Sequence, residues 1–153
     1  MTQEKLMKNK MIRMGVLFLI TLVALIIFIA LYIDESNRVQ ETYRTQFNSY
    51  LVKASSAIDS YLNAEGDFPL RYRRILSEVS SADSFAFVMT GLTEEQKRSV
   101  NEIHACLLKY PEQMQEKKRL EDMRTALTDM SQNLDKGFEE AADIVAAIKK
   151  KGY

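Results

Sequence analysis

The sequence predicts an all-α protein, in which an N-terminal transmembrane helix continues into an antiparallel up-and-down four-helix bundle. Three observations predict it. Residues 14–33 form a run of 20 without a charge, 14 of them Val, Leu, Ile or Phe, which is the length needed to cross a hydrocarbon core. Beyond residue 34 the apolar residues recur at intervals of three and four, with no strand-period alternation and no Asn-Gly or Asp-Gly turn. Breaks at Glu65–Pro69, Gly91 and Pro111 divide that region into four helical stripes.

The strongly apolar residues between Val16 and Ile33 favour insertion by roughly 5 kcal/mol. A cleaved signal has a shorter apolar region followed by a small-x-small site, and this run ends Ala30-Leu31-Tyr32-Ile33-Asp34. No cysteine follows it to carry a lipid, and a wholly buried helix of this apolarity would need a larger surrounding domain. The expectation is a permanent anchor in the lipid bilayer. Lys5, Lys8, Lys10 and Arg13 precede the run with Glu4 as the only acid, while Asp34 and Glu35 follow it. By the positive-inside rule residues 1–13 are a cytoplasmic basic tail, 14–33 a signal anchor of a bacterial inner membrane, and 34–153 an extracytoplasmic helical region. That last region carries 17 basic and 20 acidic residues, a net of −3, which gives no footprint for nucleic acid.

After the anchor, Val39, Tyr43, Phe47, Tyr50 or Leu51, Ala54, Ile58 and Tyr61 or Leu62 recur at the spacing of one helix face. The first helix is expected to run unbroken from the bilayer to about Ala64, its outer part roughly 46 Å long. In Glu65-Gly66-Asp67-Phe68-Pro69, Gly66 suits a left-handed terminator, Asp67 an N-cap and Pro69 a first turn. A second helix over about 68–90 carries Tyr72, Ile75, Leu76, Val79, Ala82, Ala86 and Met89 inward and stops at Gly91. Thr93-Glu94-Glu95-Gln96 has the spacing of a capping box, and the helix it opens buries Val100, Ile103, Leu107 and Tyr110. Pro111 either kinks that helix or opens the next.

Leu120, Leu127, Leu134, Ala141 and Ile148 are spaced by seven, with Met123, Met130, Gly137 and Ile144 in the complementary position. This is a heptad seam, and burial within one bundle accounts for it with the other stripes. A last helix of about 38 residues is longer than the roughly 26 needed to return along the bundle. A break near Asp135-Lys136-Gly137 would leave residues 138–151 as an amphipathic segment on outer headgroups, with Lys149, Lys150 and Lys151 on lipid phosphates. The sustained heptad phase favours a continuous helix.

Several segments together resemble the LemA family, membrane-anchored bacterial proteins with an antiparallel helical bundle. Ile58-Asp59-Ser60-Tyr61-Leu62 followed by Asp67-Phe68-Pro69-Leu70 is similar to that family's Ile-Asp-x-x-Leu stretch leading to Asp-Leu-Ile-Pro-x-Leu. Leu92-Thr93-Glu94-Glu95-Gln96 resembles its Leu-Thr-x-Glu-Gln helix start, and Tyr110-Pro111-Glu112 its Tyr-Pro-Asp opening of the last helix. The order agrees over residues 14 to about 148. The chain departs from the pattern in carrying Asn63-Ala64-Glu65-Gly66 in place of paired basic residues, in lacking one residue before Pro69, and in a shorter stretch between Leu76 and Leu92. The resemblance implies a single-pass envelope protein without known catalysis.

Candidate chemistry is sparse. One histidine and one cysteine exclude metal clusters and disulfide frameworks. His104 and Cys106, two apart, point about 200° apart on a helix and cannot act as a pair. Cys106 reads as a small buried thiol, with an intermolecular disulfide as the rival, and His104 as a solvated flank. Glu94-Glu95 and Glu139-Glu140 diverge on a helix and make no glycosidase dyad. There is no phosphate loop, nucleophile elbow or metal-ligand spacing, so neither an enzyme nor a cofactor is expected.

Two surface features stand out. Arg71, Arg73 and Arg74 open the second helix, at what the expected topology makes the tip farthest from the membrane, where they could hold a carboxylate or an anionic polymer or form a solvated cap face. Phe85, Phe87, Met89 and Leu92 are apolar around more than one face, as a contact patch for lipid or a partner or as a wider local core. The leading expectation is an interaction or scaffolding bundle with a membrane or envelope protein partner, or a second copy. The alternative is a sensory ligand-binding bundle signalling through a partner, weakened by the lack of a second span in the sequence. A single division-type coiled coil conflicts with the breaks at Gly66–Pro69, Gly91 and Pro111.

Overall fold

The computed structural model describes residues 3–151, with the side chains at 4, 6 and 149–151 excepted. All its regular structure is helical: α1 (Gln3–Leu62), α2 (Phe68–Val88), α3 (Glu94–Lys109), α4 (Pro111–Met114), α5 (Lys117–Gln132) and α6 (Phe138–Lys151). There is no strand among the described residues. The chain divides into two compact units, Met1–Val39 and Gln40–Tyr153.

In the first unit every described residue from 14 to 33 is exposed, and the most apolar window of α1, of mean hydropathy 3.2, has none of its residues covered by protein. A core helix of a water-soluble domain would have its apolar face packed.

The second unit is built on the remainder of α1. Phe47, Leu51, Ala54, Ile58 and Tyr61 are buried because their spacing places them on one face. Gln40 bonds to the end of α2, its amide nitrogen donating to the Val88 carbonyl at 3.4 Å and its oxygen accepting from the Thr90 N–H at 2.9 Å. Tyr50 stacks on Phe85 at 5.6 Å and Tyr61 meets Tyr72 edge-on. Gln40 and Tyr50 thus face the end of α2 and Tyr61 faces its start, so this part of α1 and α2 run antiparallel.

The same logic links α2 to α3, where the Tyr72 hydroxyl donates to the Leu107 carbonyl at 2.8 Å, satisfying one of the acceptors left open in the last turn of α3. It also links α5 to α1, through Arg124 and Asp59 at 2.6 Å and Ser55 and Thr128 at 2.9 Å. α6 packs on both α3 and α5. Five helical segments therefore surround one core in the order α1, α2, α3, α6, α5, where the sequence reading has four helices.

Two corrections concern the turns. At the α1–α2 turn it is Asp67, not Gly66, that takes the left-handed conformation (φ 58°), and its side chain makes no cap hydrogen bond. Short polar residues tolerate that region, and Arg71 takes over part of the terminator's work by donating to the carbonyls of Ser60 and Gly66. The capping box of α3 forms as read, the Gln96 N–H donating to Thr93 Oγ1 and the Thr93 N–H to Gln96 Oε1. Pro111 opens a helix of its own, the single turn α4.

The second correction is the last helix, which is not continuous. α5 ends at Gln132, the Asp135 N–H turns back onto Asn133 Oδ1 at 3.0 Å, and Gly137 has φ 84°. α6 then begins with Glu139 and Glu140 in its first turn, where negative charge meets the positive end of the helix dipole. The heptad seam ends at this break. Beyond it the buried residues are Phe138, Ala141, Val145 and Ile148. Protein covers that face, so α6 does not lay it on headgroups; the expected contact of Lys149, Lys150 and Lys151 with lipid lies outside the described residues.

A Cβ on Gly137 would collide with the Ala126 carbonyl oxygen and come within 2.9 Å of Met130 Cγ. Gly137→Ala is therefore expected to cost about 2–3 kcal/mol through strain and overlap, read as a melting temperature roughly 10 °C lower by circular dichroism. A second expectation concerns alkaline stability. Burial, and then the neighbouring Tyr61 and Cys106, push the Tyr72 hydroxyl well above the ordinary tyrosine range. Because the raised value favours the neutral form in the fold, this contribution is complete below the unfolded value of about 10 and is lost as pH climbs above it. Tyr72→Phe should flatten the loss of stability between neutral pH and pH 11 in urea titrations, while costing about 1 kcal/mol at pH 7 for the missing hydrogen bond.

Candidate functional site

α2 begins one turn after α1 ends, and this places three arginines beside the C-terminal end of α1. They do not share one role. Arg71 is half-buried and held: Nε donates to the Gly66 carbonyl at 3.1 Å, and Nη1 donates to the Ser60 carbonyl at 3.1 Å and to its hydroxyl. Its Nη2 has no partner among the described residues. Arg73 and Arg74 are exposed and form no ion pair among the described residues.

Ala57, Ser60, Asp67 and Leu70 join the three arginines around an open recess of about 460 Å³. Leu70 is 69% exposed, so a large apolar side chain stands in water beside concentrated positive charge, while Phe68, 44% exposed, packs edge-on against Tyr61. The sequence reading found the arginines. It missed Leu70, Ser60 and Ala57, which come together only through the α1–α2 hairpin; the Phe68-Pro69-Leu70 helix start preceding the arginines was the available signal.

The second sequence candidate is mostly core. Met89 and Leu92 are buried at 2% and 5% exposure, filling the α2–α3 turn, and Phe85 packs between Tyr43 and Tyr50. Of Phe85, Phe87, Met89 and Leu92, only Phe87 stands in solvent, at 79%. The wider local core accounts for the other three, and for Phe85 α1 supplies aromatic partners that the sequence pattern of α2 alone does not reveal.

His104 is not a solvated flank. Its Nδ1 lies 3.0 Å from Asp83 Oδ2, which also accepts from Asn101 Nδ2 at 3.0 Å, and the His104 and Asp83 side chains are only 21% and 17% exposed. The three residues tie α2 to α3. Cys106 is buried in the core at 2% exposure, in keeping with its reading as a small packed thiol. Glu95, Glu139 and Glu140 meet across an open cleft between the starts of α3 and α6, accompanied by Arg98 and Lys136. No group of three metal-ligating side chains occurs among the described residues.

Three comparisons with known proteins find nothing similar: no family model, no curated protein and no solved structure matches the chain. The likeness to the LemA family therefore rests on its short motifs.

The division of labour among the arginines is measurable. Arg71→Ala strips donors from the Ser60 carbonyl at the end of α1 and from the Gly66 carbonyl in the turn, and should lower stability by about 1–2 kcal/mol. Arg73→Ala and Arg74→Ala should each change it by less than about 0.5 kcal/mol, as read from thermal melts of the purified full chain.

Proposed function

We propose that the protein is a single-pass membrane protein of the bacterial envelope whose helical unit is a non-catalytic interaction or scaffolding module. The observation that carries this reading is the uncovered apolar helix of residues 14–33. An apolar window with none of its residues covered by the rest of the chain would be strongly unfavourable in water, at about 25 cal/mol for each Å² of apolar surface left exposed, and is at home in lipid. The basic residues before it and the acids after it orient it with the N-terminus in the cytoplasm and the second unit outside. LemA-like proteins share this plan, and the family likeness belongs to the same proposal.

Within the second unit the apolar side chains of five helical segments are spent on one another, as in an antiparallel bundle with an added helix. Several of its titratable residues serve as helix-dipole partners and inter-helix ties, among them Glu139, Glu140, Asp83, Asp59 and Arg124. The recesses lined by Arg71 and by Glu95 are open to solvent, which suits contact with another macromolecule better than enclosure of a small ligand.

The test combines an anchor variant with proteolysis. A lysine at Leu25 removes about 3 of the roughly 5 kcal/mol that favour insertion. The wild-type chain should stay in the membrane pellet after alkaline carbonate extraction, and Leu25→Lys should shift a large part of it to the supernatant. A protease added to intact spheroplasts should degrade the second unit; its survival, or a mature chain that begins after Tyr32, would overturn the proposal.

A further inference from the structure

We infer that the recess at the α1–α2 turn is a docking surface for an acidic protein segment that carries a large apolar side chain beside its carboxylate. This rests on the reading of the second unit as an interaction module and names the chemistry of its partner. Charge complementarity supplies the first part of the argument. Arg71, Arg73 and Arg74 face a single acid, Asp67, across the recess, and no salt bridge joins Asp67 to any of them among the described residues. Arg71 is already fixed through Nε and Nη1 by the end of α1, so its remaining Nη2 edge is presented without the entropy cost of immobilising a free side chain. Arg73 and Arg74, exposed and unpaired, add adaptable donors on either side. Nη2 gives a carboxylate a single bond from Arg71, and the unpaired guanidinium groups of Arg73 and Arg74 offer the two-pronged grip that suits this planar acceptor best.

An apolar residue decides between a protein and a phosphate-bearing polymer or lipid headgroup. Leu70 lines the recess at 69% exposure, whereas Phe68 packs edge-on against Tyr61 at 5.4 Å. A phosphate chain would engage the arginines and leave Leu70 in water. A peptide turn with Leu, Ile or Phe next to Asp or Glu covers Leu70 while its acid reaches the guanidinium groups, the arrangement of an apolar interface centre within a charged rim. Phe87, the most exposed aromatic of α2, lines a recess in which Asp83, Glu94 and Glu95 accompany Lys97 and Arg98, with Lys97 already paired to Glu94, so that recess lacks the excess of positive charge found at the α1–α2 turn.

The experiment uses the full chain in cells, with a photo-crosslinking residue at Ser77, an exposed position one turn beyond Arg73 and Arg74 on the same helix face, and at Val52, Phe87 and Leu108 for comparison. The expected result is an adduct from position 77 that mass spectrometry maps to a protein segment with an acid adjacent to a large apolar residue. Its yield should fall about tenfold or more in the R73E/R74E double variant, several-fold in L70S, and little in R73K/R74K. An adduct indifferent to charge reversal, or one that maps to a lipid or a wall polymer, would overturn the inference. Adducts from the comparison positions with none from 77 would overturn it while leaving the interaction module standing. Silence at all four positions would overturn both.

Discussion

The left-handed turn at Gly137 is the constraint on which the completed core depends. Up to Gln132 the chain has laid down α1, α2, α3 and α5, with one edge of the core between α3 and α5 still open. A straight continuation of α5 would carry Phe138, Ala141, Val145 and Ile148 away from that edge. The turn at φ 84° instead returns them to it as α6. Burying the Phe, Val and Ile is worth roughly 5–8 kcal/mol as an upper bound, comparable to the whole stability of a small domain. Only glycine fits the turn, because the space a Cβ would need is taken by Ala126 and Met130 of the helix just completed. Gln96 secures the arrangement from the other side: while its oxygen and N–H complete the capping box of α3, its Nε2 donates to the Leu134 carbonyl at 2.7 Å. One side chain therefore starts α3 and fastens the loop that starts α6.

The chain uses two opposite solutions to the placement of apolar residues. In the first unit Leu, Ile, Val and Phe surround the whole circumference of the helix, and none of residues 14–33 is buried. In the second they are confined to stripes, and Phe47, Leu51, Ile58, Ile75, Ile103, Leu107, Leu120 and Leu127 are all buried to 1% exposure or less. An all-round apolar helix can be satisfied by lipid, whereas a stripe is satisfied only by another stripe. α1 passes from the first pattern to the second without a change of secondary structure, because helix formation is local and indifferent to the solvent that covers the side chains.

The local signals were legible and the long-range ones were not. The Thr93–Gln96 capping box, the stops at Gly66–Pro69 and Gly91, and the inward faces of α2 and α3 depend on residues within a turn or two of each other, and spacing alone reveals them. The break before α6 was marked by Asn133, Asp135 and Gly137 followed by two acids, a loop and a helix start, but Leu134, Ala141 and Ile148 fall on the phase of the preceding heptads and concealed it. The phase agrees only because the five intervening residues and the new helix happen to preserve a count of seven. Phe85 was ambiguous for a different reason: whether it points into a core depends on Tyr43 and Tyr50, more than 30 residues away. His104 looked solvated because nothing in α3 announces Asp83.

The arginines at the start of α2 illustrate why composition at a helix end does not determine role. By the dipole alone each is slightly unfavourable there. Arg71 recovers that cost locally, since the C-terminal end of α1 lies against it and offers carbonyl oxygens, the negative pole of one helix offsetting the positive pole of the next. That compensation has a fixed capacity. The carbonyls of Ser60 and Gly66 engage one guanidinium, and Arg73 and Arg74, two and three positions on, point to water with Leu70 at their side. Two cations and a leucine that contribute nothing evident to folding are the part of this surface whose chemistry is free to serve something other than the fold.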